Sequence, residues 1–73
     1  MTLEEFAVIS NILNKAIEEI YVAKDDISKQ LHKSTGGNRL LLGSVTQILE
    51  QSVTGISIAS RLLRTIAAGY TAP

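Results

Sequence analysis

Apolar residues recur at spacings of three and four along two long stretches of this chain, and the paired glycines Gly36-Gly37 separate the stretches. In the first stretch Phe6, Ile9, Leu13, Ala16, Ile20, Ala23 and Ile27 fall on one face of a helix. Ile12, Ile17 and Leu31 widen that face, while Asn11, Asn14, Lys15, Glu18 and Asp25 lie opposite as a solvated side. Val8 and Val22 fit neither face cleanly. Thr2-Leu3-Glu4-Glu5 has the form of a capping box, in which a threonine hydroxyl and a glutamate three residues later satisfy each other's backbone amides. The helix is therefore predicted to begin there.

The second stretch repeats the pattern with Leu42, Val45, Leu49, Ser52, Ile56, Ala59, Leu63 and Ile66, and Leu41, Ile48, Gly55 and Leu62 broaden it to three positions per turn. Between the stretches, His32-Lys33-Ser34-Thr35-Gly36-Gly37-Asn38-Arg39 is rich in turn formers, and Gly36 and Gly37 are the predicted hinge. A phosphate-binding loop is the sharper alternative for this segment, but neither a P-loop lysine-serine nor a GxGxxG pattern is present. Ser44-Val45-Thr46-Gln47 offers a second capping box, and Gly69 a stop before a tail of Tyr70, Thr71, Ala72 and Pro73. The predicted organisation is one domain: a helix over about 3–32, a turn over about 33–39 and a helix over about 40–68.

These elements predict an all-α fold, a two-helix antiparallel hairpin that self-associates into a four-helix bundle or a larger helical assembly. In such a hairpin residue i lies near residue 73 − i, so Lys24 approaches Glu50, and Glu4 and Glu5 approach the region of Arg64. Stripes this wide exceed what one neighbouring helix covers. The self-association surface is accordingly assigned to Phe6, Ile9, Leu13, Ile17 and Ile20 with Leu41, Val45, Ile48, Leu49, Ser52, Gly55, Ile56, Ala59, Leu62, Leu63 and Ile66. Within it, Ser52, Gly55 and Ala59 form a notch that admits a closely approaching helix, and Gly55 to Ala59 has small-xxx-small spacing. A kink at Thr54-Gly55 is the competing reading.

Composition sharpens this picture. With 73 residues and no cysteine, the chain has neither the size for a large core nor a disulfide to staple a small one. Oligomerisation is the remaining route. The 45% hydrophobic content is that of a folded chain, and only 4% aromatic residues means an aliphatic core. Formal net charge is zero, but residues up to Leu31 carry a net −3 and those from His32 onward a net +3, so the two halves are electrostatically complementary.

Several function classes lose support on the same grounds. His32 is the only imidazole and has no nucleophile or orienting acid legible around it, and the pairs Glu4-Glu5, Glu18-Glu19 and Asp25-Asp26 diverge around a helix. No catalytic residue, cofactor or metal site is assigned. Between Arg39 and Arg61 lie 21 residues with Glu50 as the single charge, yet Gln47, Glu50 and Gln51 near the middle argue against a membrane span. The acidic start, Met1-Thr2-Leu3-Glu4-Glu5, is unlike a Sec signal, which fits a cytoplasmic protein or one exported without such a signal. Neutral total charge argues against strong nucleic-acid binding, although Lys29, Lys33 and Arg39 with Arg61 and Arg64 give two basic ends.

Two resemblances bear on the remaining classes. A dimer of short helical hairpins resembles in architecture the plasmid copy-number regulator that binds paired RNA loops, which implies a small dimeric regulator or adaptor binding a protein or RNA. Ser60-Arg61-Leu62-Leu63-Arg64-Thr65-Ile66 resembles the basic-apolar run near the end of some type III secretion needle subunits, which are cysteine-free helical hairpins that polymerise and travel without a Sec signal. That match covers less than a tenth of the chain; the Tyr-rich segment before the run is missing, and Gly36-Gly37 stands where many members have a proline hinge. The expectation is a non-enzymatic, self-associating subunit with a structural or protein-interaction role, including a part in a secretion-system or virion-like assembly. Its first partner is itself, with another protein as a further one.

Overall fold

The computed structural model describes residues 1–71, with side-chain environments for residues 1–69. It consists of two helices, α1 (Leu3–Lys33) and α2 (Gly36–Thr71), which contact each other as a hairpin 59 Å long and 15 by 11 Å across. The N-terminal signal is realised as read. Thr2 Oγ1 accepts from the Glu5 amide at 3.1 Å, and Glu5 Oε1 accepts from the Thr2 amide at 2.9 Å. Two of the amides that a helix start leaves unpaired are thereby satisfied.

The turn is shorter than predicted. It comprises Ser34 and Thr35 rather than residues 33–39, and α2 begins at Gly36 instead of near residue 40. Ser34 ends α1 in an extended conformation: its amide donates to the Leu31 carbonyl at 3.2 Å and its hydroxyl to the Gln30 carbonyl at 2.8 Å. Gly36 then turns the chain at φ +63°, a conformation that costs an L-residue with a Cβ about 1–2 kcal/mol. One left-handed residue suffices for the reversal. Gly37, Asn38 and Arg39 join the first turn of α2, where the amides lack intrahelical partners in any case.

Two other expected boundaries are absent for the same reason, that local signals yield to an uninterrupted helix. Ser44 is not a cap, since its hydroxyl donates to the Leu40 carbonyl one turn back at 3.2 Å. Gly69 does not stop α2, which continues through Thr71; the remainder of the expected tail, Ala72 and Pro73, lies outside the described residues.

The seam between the helices follows an unbroken alternation of four and three. On α1 it runs through Phe6, Ser10, Leu13, Ile17, Ile20, Lys24, Ile27 and Leu31, and on α2 through Leu42, Thr46, Leu49, Val53, Ile56, Ser60, Leu63 and Ala67. The α2 seam is thus turned toward Thr46, Val53, Ser60 and Ala67, away from the predicted Val45, Ser52, Ala59 and Ile66, which are exposed. The hydroxyl of Thr46 donates to the Leu42 carbonyl at 3.0 Å, so a residue that looks polar in sequence satisfies its donor within α2 and can sit at the seam. Lys24 lays its stem on the seam and reaches Glu50 across it, Nζ to Oε1 3.4 Å, with the ammonium 5.5 Å from the Tyr21 ring centre. The predicted register is confirmed at this pair. Glu5 is engaged by Thr2, and among the described residues neither Glu4 nor Glu5 forms an ion pair with Arg64.

A seam one helix wide leaves little interior. Ala67, at 7% exposure, is the one buried residue among those described. The accessible surface is 5563 Å², whereas a compact monomer of 7.9 kDa would expose about 4400 Å².

Candidate interaction surface

One residue before each seam position of α2 lies a second stripe with the same alternation: Leu41, Val45, Ile48, Ser52, Gly55, Ala59, Leu62 and Ile66. At 3.6 residues per turn, this places it about 100° around the helix from the seam. All eight residues are exposed, with Leu41 at 66%, Ile48 at 59% and Leu62 at 61%. The four charged residues of α2, Arg39, Glu50, Arg61 and Arg64, lie about 130–170° around the helix from the midline of the stripe, with Arg61 about 100° from its neighbour Leu62.

The stripe continues onto α1. Both helices are right-handed and run in opposite directions, so positions that precede the seam on each helix turn to the same side of the hairpin. Exposed Ile9 and Ile12 occupy those positions on α1. In the register fixed by Lys24 and Glu50, Ile12 is level with Leu62 and Ile9 nearly level with Ile66. The apolar face is therefore broad at the free end of the hairpin and narrow at the hinge end.

Its polar groups are already satisfied within the helix. Ser52 Oγ donates to the Ile48 carbonyl at 3.0 Å, so covering this serine strands no hydroxyl proton. Gly55 is equally open: a Cβ built there meets nothing within 4 Å. The intrachain packing gives this glycine no role, although it costs a helix about 1 kcal/mol relative to alanine. The described helix runs through Thr54-Gly55 without interruption.

The residues assigned to self-association from sequence thus divide into two sets. Phe6, Leu13, Ile17 and Ile20 with Leu49, Ile56 and Leu63 are half-buried in the intrachain seam. Leu41, Val45, Ile48, Ser52, Gly55, Ala59, Leu62 and Ile66 remain outside it, together with Ile9 at 39% exposure. The seam residues missing from the apolar faces read in the sequence are Ser10 and Lys24 on α1 and Thr46, Val53, Ser60 and Ala67 on α2. Val53 and Ala67 carried an apolar signal, but the intervening Thr46 and Ser60 hid the periodicity.

Other chemistry on the surface is dispersed. His32 is exposed in the last turn of α1, beside Lys33, where cationic groups complement the helix dipole. Among the described residues, no three of His, Cys, Asp and Glu gather in a way that could hold a metal ion. Two surface depressions, one lined by Gln47, Glu50, Gln51 and Thr54 and the other by Glu4, Glu5, Val8 and Ile9, are open and each belongs to a single helix. Glu5 is held below the usual glutamate value of 4.5, first by the Thr2 amide and then by the Thr2 hydroxyl. Lys29 pairs with Asp25 at 3.3 Å, while Arg39 and Arg61 lie some 33 Å apart along α2, so the basic residues form two ends and not one patch. Among the described residues, no helix is long and apolar enough to cross a membrane. Comparisons with protein-family models, curated proteins and solved structures return no match to this chain.

Proposed function

We propose that this chain is a non-enzymatic, self-associating helical subunit whose role is structural or that of a protein-interaction module. The observation that carries the reading is the exposed stripe from Leu41 to Ile66 on a hairpin with a single buried residue among those described. Its surface exceeds that of a compact monomer by about 1100 Å², comparable to the roughly 800 Å² that each partner contributes to a standard protein interface. Exposed branched aliphatic side chains contiguous along one face, as from Leu41 to Ile66, are the kind of surface that marks an association site.

A second reading, a small dimeric regulator binding RNA or another protein, draws support from the exposed bases at both ends, Lys33 with Arg39 and Arg61 with Arg64. Sedimentation across a concentration series, combined with nucleic-acid titration at two salt concentrations, separates the two. Association to a dimer or larger species with no affinity for RNA or DNA near physiological salt is the expected result. Tight binding that falls steeply with salt would promote the regulator, because phosphate neutralisation releases counterions. A monodisperse monomer at micromolar concentration would end the self-association reading.

A further inference from the structure

We infer that the occupant of the Leu41–Ile66 stripe is a second copy of this chain, docked with its α2 antiparallel about a two-fold axis that crosses between Ser52 and Gly55. The inference rests on the self-association reading and adds its geometry. Antiparallel pairing of a stripe with itself brings first against last. Leu41 then meets Ile66 of the second copy, Val45 meets Leu62, Ile48 meets Ala59, and Ser52 meets Gly55. Large residues oppose large ones toward both ends, a large residue opposes a small one in the next layer, and the smallest pair sits at the crossing point.

That arrangement of sizes suits two helices that approach most closely at mid-length. A parallel pairing would instead stack Gly55 on Gly55 and Ile48 on Ile48, leaving a gap in one layer and bulk two turns away. The open space at Gly55 and the internally bonded hydroxyl of Ser52 permit close approach without displacing a side chain or stranding a polar group. The same two-fold operation sets the narrow hinge end of one face, Leu41 and Val45, against the broad free end of the other, where Leu62 and Ile66 lie beside Ile9 and Ile12. The face is thus complementary to itself in width as well as in side-chain size. The charged residues of α2, on the far side of the helix, stay in water.

Spin labels attached to Gln51→Cys and Thr65→Cys test the geometry, since the chain has no cysteine of its own and both positions are exposed. Around the inferred axis the labels at position 51 lie about 8 Å apart along α2 and those at position 65 about 35 Å apart. Dipolar spectroscopy is expected to give a short distance for the first variant and a long one for the second. Equal short distances would indicate parallel pairing, long distances at both sites would place the contact elsewhere, and broad overlapping distributions would indicate an open polymer; each overturns the inference while sparing self-association. No dipolar signal, together with a monomeric mass, would overturn both.

Discussion

The two faces of α2 share a spacing and differ in what covers them. The seam face, from Leu42 to Ala67, packs on α1; the outer face, from Leu41 to Ile66, is displaced by one residue and stays exposed among the described residues. Each has five branched aliphatic residues among its eight. The seam face interleaves them with Thr46, Ser60 and Ala67, whereas the outer face gathers its small residues, Ser52, Gly55 and Ala59, in the middle. A helix lying alongside along its whole length suits the first arrangement, and a helix crossing at one point suits the second. Apolar periodicity therefore identifies a face that packs without naming the neighbour, while the placement of small residues carries information about how that neighbour approaches.

The largest expected effect comes from placing a charge on each face in turn. Ile56→Asp sets a carboxylate in the half-buried seam and should cost several kcal/mol and abolish most helical signal in circular dichroism. Ile48→Asp should retain helical signal at high concentration yet lower the association constant by at least a hundredfold in sedimentation. If both variants unfold alike, the two faces are not separable and the division drawn between them fails.

Next in size is Gly55→Leu, which overpacks the proposed crossing by roughly 1–3 kcal/mol and should reduce association tenfold or more. Gly55→Ala isolates the intrachain contribution: with open space at the Cβ, the hairpin gains about 1 kcal/mol of helix propensity. Unaltered association in Gly55→Leu would show that no helix approaches there.

The hinge gives a contrast of similar size. Gly36→Ala must place a Cβ at φ +63° and should destabilise the hairpin by about 1–2 kcal/mol, whereas Gly37→Ala should be neutral or slightly stabilising in thermal melts. Equal effects would mean that the reversal is shared between the two glycines.

The smallest effect is at the N-terminus. Because Glu5 titrates below its usual value in the fold, the unfolded chain takes up its proton first as pH falls. The capping contribution is complete above pH 4.5 and is lost as pH drops through the lowered value, so Glu5→Gln should flatten the acid limb of a stability-pH curve. Thr2→Ala removes the acceptor for the Glu5 amide and should cost 0.5–2 kcal/mol at neutral pH.

Most of the fold was legible in the sequence because its determinants are local or periodic. The capping box at Thr2 and Glu5, the two helices, the reversal near Gly36 and the pairing of Lys24 with Glu50 all follow from spacing alone. The phase of the seam did not. With apolar residues at three positions per turn, α2 offers two nearly equivalent stripes, and only three-dimensional packing against α1 selects the one through Val53 and Ala67. The expected turn is too long because Gly37 counts as hinge and Asn38 as a turn former, although one left-handed glycine makes the reversal; Ser44, a possible cap by spacing, instead bonds back to the Leu40 carbonyl within an unbroken α2. The outer stripe was visible from the start as excess width, and the structure adds where that excess faces.

Thermal unfolding of the unmodified chain over a hundredfold range of concentration tests most directly whether the hairpin depends on a second copy. Association linked to folding raises the midpoint as protein is added. A rise of several degrees from the lowest to the highest concentration is expected, with the rise abolished in Ile48→Asp. A midpoint independent of concentration, in a species that sediments as a monomer throughout, would contradict it.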